Sequence, residues 1–463
     1  MTVTARPLRR VLVANRGEIA VRIIHACRAL GIETVLAASE ADRDSLPARM
    51  ADRALCIGPA ASSASYLRID ALLAAAQGTE CDALHPGYGF LAESRALAQA
   101  CADEGIVFVG PTPDQIHDMG NKLAARALAR AANVPLLPGS EEVTDAAQAA
   151  SIAGTIGYPV LLKAAAGGGG RGMKVVERAE DIARAFAAAS HEARNAFGDD
   201  TLYLERYIRN ARHVEVQVLG DAHGNLVHVG ERDCSLQRRH QKVVEESPAP
   251  NLPVATRDGI RAAAVALARA IQYRNAGTVE FIVDGDTGEF FFLEMNTRIQ
   301  VEHPVSEAVS GIDLVQEQLR VAAGERLRYR QRGVVLRGHA IECRINAEVP
   351  TENFRPSPGR ITAWRPPEGP NIRLDTHCHE GYVVPIHYDS MLAKLIVYGI
   401  DRNEAILRMR RALAQFTIEG IDTTLPFLRH AIPHPDFVSG RVNTALVGRM
   451  IDEMNGAVPA HAG

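Results

Sequence analysis

Residues 294 to 302 read Glu-Met-Asn-Thr-Arg-Ile-Gln-Val-Glu. Polar groups at every second position, acidic, amide and cationic, look like a reaction surface. In an extended strand the side-chain period is two, so Glu294, Asn296, Arg298, Gln300 and Glu302 are expected on one face. Upstream, Gly277–Val283 and Glu289–Leu293 flank the turn-rich Asp284-Gly-Asp-Thr-Gly288, a hairpin pattern. Its register sets Glu280 diagonal to or directly across from Glu294. Two carboxylates and the Asn296 amide then converge, with oxygen ligands suited to Mg²⁺.

A second chemical feature is Ala164-Ala-Ala-Gly-Gly-Gly-Gly-Arg-Gly172. The apolar Pro159–Leu162 precedes it and Met173–Val176 follows, so the glycines join two strands instead of opening a helix. Bare amides in such a hairpin can close on a polyphosphate, and Lys163 adds a fixed positive charge. Residues 231 to 246 pack cations and anions too densely for a core element; a solvated charged loop is the default reading, against which the nearby metal-binding stripe and glycine run point to fixed positive charge for an anionic transition state. His377-Cys378-His379 is expected to be incidental, because adjacent residues on a strand point to opposite faces.

Positioning these groups requires several layers of structure. The pattern strand (Arg10–Ala14), helix (Ile19–Leu30), strand (Thr34–Ala37), continued to Val107–Val109, predicts an α/β open sheet. It is Rossmann-like in layout but lacks a dinucleotide fingerprint in its first turn. Helices are expected over 122–132, 144–156 and 180–197, strands at 158–163, 173–176 and 201–204, then the hairpin. A strand-rich unit from residue 334 ends in helices near 403–415 and 444–454. With 463 residues the chain has room for two to four domains. A net charge of −4 with no basic tract gives no sign of a nucleic-acid partner, and no apolar run approaches a membrane span. Seven scattered cysteines without a Cys-x-x-Cys pair favour reduced thiols and the cytoplasm.

Long motifs in fixed order carry a resemblance over nearly the whole chain. They are Ala14–Ala20, His85-Pro-Gly-Tyr-Gly-Phe90, Lys163 with Gly167–Met173, Arg232–Ser235, Gln237–Lys242, Glu294–Pro304 and Tyr388-Asp-Ser-Met391. Together they resemble biotin carboxylase, an ATP-grasp family. The resemblance implies an N-terminal domain over 1–115, an ATP-grasp module over 116–330 with a mobile lid at about 137–206, and a C-terminal domain over 331–463. It implies that Lys122, Lys163 and the amides of Gly169 and Gly170 hold the ATP phosphates. Glu205, Arg206, Tyr207 and Ile208 would form the hinge against adenine, with His213, Gln237 and His240 completing the nucleotide site. Glu280, Glu294 and Asn296 would ligate two Mg²⁺ or Mn²⁺ ions. Lys242, Arg298, Gln300 and the amide of Val301 would hold bicarbonate, with Glu302 as its base. Arg344 would stabilise the biotin ureido oxygen, and Tyr88 and Asp389 would border that site.

The implied function is ATP-dependent carboxylation of biotin through carboxyphosphate, within an acyl-CoA carboxylase-type complex. With no biotin-accepting lysine motif and no carboxyltransferase region, the chain is expected to be a free-standing subunit and homodimer. Its partners would be a biotin carboxyl carrier protein and a carboxyltransferase subunit. Ala166, Asn121 and His387 depart from residues common in the family, and none is an assigned ligand. Another ATP-grasp ligase would not need Arg298–Glu302 together with Arg344, and a non-catalytic nucleotide sensor would not need the base.

Overall fold

The computed structural model describes residues 5–165 and 173–456. Gly169 and Gly170 fall outside the described residues. The N-terminal strands β1 (Arg10–Val13), β2 (Glu33–Ala38), β3 (Arg53–Cys56), β4 (Ala83–His85) and β5 (Val107–Phe108) form a parallel sheet ordered β3-β2-β1-β4-β5. Residues on both faces of β1 are buried, as a covered parallel sheet requires. Helix α1 (Gly17–Ala29) follows β1 at once. Between them Asn15 donates to the carbonyls of Pro86 (2.7 Å) and Tyr88 (2.8 Å), so the first motif staples the turn after β4. Gly87 in that turn has φ +64°, and a Cβ there would lie 2.9 Å from the Asn15 amide, so glycine is required twice over.

Helix α2 (Lys122–Ala131) leads into a small antiparallel sheet of β6 (Val160–Ala164), β7 (Met173–Val176) and β8 (Leu202–Arg206), ordered β7-β6-β8. Helices α3 (Ala146–Ile156) and α4 (Ile182–Phe197) cover it. Their buried Ala149, Ala153, Ala189 and Ala193 pack with Val160, Leu162, Leu202 and Leu204, the small residues admitting close approach. The sequence periods anticipate each of these elements.

An eight-stranded sheet carries the rest: β9 (Ala211–Gly220), β10 (Leu226–Arg238), β11 (Gln241–Ser247), β12 (Asn275–Asp284), β13 (Phe290–Asn296), β14 (His339–Asn346), β15 (Ile372–Thr376) and β16 (Met391–Gly399). Its order is β13-β12-β9-β10-β11-β14-β16-β15, so it runs without a break past residue 330. One face is apolar: Val214, Val216 and Val218 of β9 join Val279 and Phe281 of β12 under helix α5 (Val254–Ala270). Ile341, Cys343 and Ile345 of β14 do the same under helix α6 (Arg402–Gln415). The opposite face carries His213, Glu215, Glu280, Glu342 and Arg344, because strand side chains alternate. The sheet is a plate with a hydrophobic back and a charged front.

Two expectations need correction. Residues 231 to 246 are not a solvated loop. They belong to β10 and β11, joined by a turn at Arg239 and His240 with φ +50° and +65°, and most of them are buried. Their charges are tolerated inside because each is matched by an opposite charge on a neighbouring element, as Arg232 is by Glu215, Asp233 by Arg212 and Glu246 by Arg402. Nor does the polar stripe stay extended to Glu302. Strand β13 stops at Asn296, the chain turns, and a helix follows over His303–Ser310; Glu302 is its N-cap residue and Pro304 lies in its first turn.

Candidate active site

The core of the site is a row of charge across four adjacent strands. Register pairs Arg232 with Glu215, Glu215 with Glu280, and Glu280 with Glu294. The expected hairpin is therefore present, with Glu280 directly opposite Glu294 and a bulge just after it. Arg232 is fully buried and donates to Glu215 (2.5 Å), Gln217 (2.9 Å), Ser306 (3.0 Å) and Thr278 (3.1 Å). Such a saturated guanidinium anchors the row.

The turn after β13 decides what the row can meet. Six further residues of straight strand would carry Glu302 about 20 Å past Asn296, off the sheet. Instead the turn folds back over the plate, held by Glu93, which accepts from the Thr297 amide and from Arg298 Nε (both 3.0 Å). Glu302 thereby reaches the sheet centre, 2.6 Å from Lys242 Nζ on β11 and 3.0 Å from Arg344 on β14. Arg298 also donates to Gln300 Oε1 (2.6 Å) and Asn296 Oδ1 (2.9 Å). All five stripe residues do converge, by a fold-back and not by a shared strand face.

Lys242 bridges Glu215 (2.6 Å), Glu280 (3.0 Å) and Glu302 (2.6 Å). Burial opposes its charge, yet these three carboxylates keep its pKa well above the usual lysine value. Burial likewise opposes the charge on Glu302, but Lys242, Arg344 and Arg232 hold its carboxyl well below the ordinary range. Glu280 accepts from Lys242, Asn296 (2.9 Å) and Gln300 (3.0 Å) and lies 3.0 Å from His213 Nε2. Despite burial, Lys242 and His213 lower its pKa.

Glu294 differs. Burial and the adjacent Glu280 raise its pKa, with only partial relief from Lys122 and Lys163. Two facing carboxylates and the Asn296 side chain, with one carboxylate underneutralised, fit a divalent cation. His213, Glu215 and Glu280 also cluster tightly enough to ligate. Glu215 and Glu280 are both already paired, Glu215 with Arg232 and Lys242 and Glu280 with Lys242 and His213, whereas Glu294 has no such cation in contact among the described residues.

The residues that the resemblance assigns to the nucleotide are spread over α2, the small sheet and strands β9 and β10. Lys163, one residue before the end of β6, bonds Glu205 on β8 (2.8 Å), which also pairs with Arg126 of α2. The Glu205 side chain is thus turned to Lys163 and Arg126. Burial and the neighbouring Lys163 lower the pKa of Lys122 at the start of α2. His213 is on β9, Gln237 lies beside it at 3.4 Å on β10, and His240 forms the exposed hairpin tip. Tyr88 donates to Glu18 of α1, within electrostatic reach of Asp389 and Arg344, and Asp389 accepts from the Met391 amide (3.0 Å). Arg344 pairs with Glu245 (2.6 Å), whose cross-strand partner is Glu342. Burial raises both acids, Glu245 to about 7 although Arg344 pulls it down. His377 contacts the Tyr382 hydroxyl (3.2 Å), and its triplet is in neither candidate cation cluster.

Glu93, Glu215, Glu245, Arg126 and Arg232 are functional neighbours that the sequence reading assigned no role. The signal for Glu215 was present: His213, Glu215 and Gln217 alternate with three valines.

A small antiparallel sheet bearing Lys163, with Lys122 nearby at the start of α2, set beside a carboxylate-lined antiparallel sheet, is the layout of an ATP-grasp ligase. Family models match as follows: biotin carboxylase N-terminal domain over residues 7–116, the ATP-binding domain of carbamoyl-phosphate synthase L chain over 121–330, and biotin carboxylase C-terminal domain over 342–449. Biotin carboxylase 1 of Bacillus subtilis is 52% identical over 438 residues, 94% of this chain and 97% of that one. The Campylobacter jejuni biotin carboxylase–βγ-ATP complex superposes with TM-score 0.93 at 49% identity, covering 96% and 99% of the two chains. The biotin carboxylase domain dimer of Hydrogenobacter thermophilus 2-oxoglutarate carboxylase, solved with MgADP, ADP and bicarbonate, gives TM-score 0.93 at 45% identity over 96% and 98%. The chain belongs to the biotin carboxylase family and is an ATP-dependent ligase.

Proposed function

We propose that this chain carboxylates biotin presented by a separate carrier protein, with the roles divided along the charged plate. The observation that carries the reading is Glu302 held between Lys242 and Arg344 at the end of the cation-binding row. Lys122, Lys163 and the amides of Gly169 and Gly170 bind the ATP phosphates, and the segment Glu205–Ile208 with His213, Gln237 and His240 binds the nucleoside. Glu280, Glu294 and Asn296 would hold Mg²⁺, which when bound supplies positive charge to the phosphates.

Arg298, Lys242, Gln300 and the Val301 amide hold bicarbonate. Lys242 and Arg344 keep Glu302 a weak base at rest; anionic substrates that draw these cations away raise its proton affinity where it is needed. Glu302 then takes the bicarbonate proton, and the freed oxygen attacks the γ-phosphorus, expelling ADP and forming carboxyphosphate. Cleavage of its C–O bond gives CO₂ and phosphate. The phosphate accepts the N1′ proton of biotin, Arg344 stabilises the ureido oxygen, and N1′ adds to CO₂. Tyr88 and Asp389 border the biotin.

Domains over 1–115, 116–330 and 331–463, a homodimer, a carboxyltransferase partner and a cytoplasmic location complete the reading. All seven cysteines are free, which suits a reducing compartment, and among the described residues no helix is long and apolar enough to cross a membrane. The test is ADP release with each component omitted in turn. We expect release to require Mg²⁺ and bicarbonate and to rise with free biotin. Turnover indifferent to bicarbonate and biotin would refute the reading.

A further inference from the structure

Strand β16 is apolar except for Lys394, whose side chain is fully buried. A buried ammonium is costly unless fixed partners surround it, so what it holds matters. Its Nζ donates to the Val301 carbonyl (2.9 Å) and lies 3.1 Å from Glu18 and 3.7 Å from Asp375. It is also 6.0 Å from the centre of the Tyr88 ring, and Tyr88 donates to the same Glu18. Across the sheet its register partners are Arg344 and Asp375. One lysine therefore touches α1, the turn that follows β13, and the last two strands of the plate.

The turn needs such support because it has no ladder hydrogen bonds of its own beyond Asn296. His303 Nδ1 bonds the Gln300 carbonyl (2.7 Å), and Lys394 bonds the next one, so two successive peptide planes are pinned from beneath. Those planes orient the Val301 amide and set the origin of the Glu302 side chain.

We propose that Lys394 is a positioning residue that fixes the bicarbonate-binding turn and links it, through Glu18, to Tyr88 on the biotin side. The inference rests on the bicarbonate and biotin assignments above. Lys394→Met should raise the KM for bicarbonate in the biotin-independent ATPase by about ten- to a hundredfold, the range that loss of a charged hydrogen bond gives. KM for ATP should stay within about twofold, an unequal response that a general loss of stability would not produce.

Because Lys394→Met leaves Glu18 buried without its cation, a second variant, Lys394→Met with Glu18→Gln, removes that charge. It should recover thermal stability relative to Lys394→Met while bicarbonate KM stays raised. A double variant with wild-type bicarbonate KM, or equal rises in both KM values, would overturn the proposal. ADP release by the wild-type enzyme without any bicarbonate requirement would overturn the underlying reading and this inference with it, whereas failure of the inference alone appears only in the variants.

Discussion

Glu302→Gln should lower bicarbonate-dependent ADP release by about 10²- to 10⁴-fold, the contribution usual for a positioned proton acceptor. The amide keeps the shape, but Lys242 and Arg344 contact different carboxylate oxygens, at 2.6 and 3.0 Å, so its single oxygen can accept from only one of them. It also loses the capacity to take a proton. Nucleotide affinity, measured by calorimetry, should change little, because Glu302 lies in the sheet centre, away from Lys122 and Lys163. Glu280→Gln should behave differently, since Glu280 is joined to Lys242, His213, Asn296 and Gln300 and is a proposed cation ligand. That variant should lose metal-nucleotide affinity as well as turnover. A Glu302→Gln enzyme with near-normal turnover would place the base elsewhere.

Arg344→Ala should reduce biotin carboxylation by about 10²- to 10³-fold, as removal of an oxyanion donor commonly does. The slow biotin-independent ATPase should fall far less. Losing the guanidinium frees Glu302 from one of its two cations, which raises its basicity. The fold should survive because Glu245, already raised to about 7, can take a proton beside Glu342 and so avoid an unpaired buried charge. The comparison is carboxybiotin formation against ADP release without biotin, in one preparation. Equal losses in both would assign Arg344 to folding or ATP binding.

How much of this was legible in the sequence depends on the range of each interaction. The Glu280–Glu294 pair was legible because a five-residue turn limits the register and strand alternation sets the face. The helices and strands of the lid were legible from their periods and their proline and glycine boundaries. The end of β13 was missed because alternating polar residues look alike in a strand and in a turn; Pro304, a helix-start signal two residues beyond Glu302, marked the break. Residues 231–246 were misread because charge density ordinarily signals solvent, whereas here Arg232 is matched to Glu215, a residue on the next strand. Glu93 could not be found locally, since 205 residues separate it from Arg298. The resemblance to biotin carboxylase gave the family, which the family models and relatives show, but it did not disclose the buried ion pairs around the assigned residues.

The central claim is that bicarbonate, activated at Glu302, attacks the γ-phosphorus. Its most direct test is the fate of oxygen from ¹⁸O-labelled bicarbonate, in a reaction brief compared with exchange of label into water. Attack by bicarbonate makes its oxygen the bridge of carboxyphosphate, and C–O cleavage then leaves that oxygen on phosphorus. Released phosphate should carry one labelled oxygen for each ATP consumed, and phosphate without label would show that water, not bicarbonate, is the nucleophile.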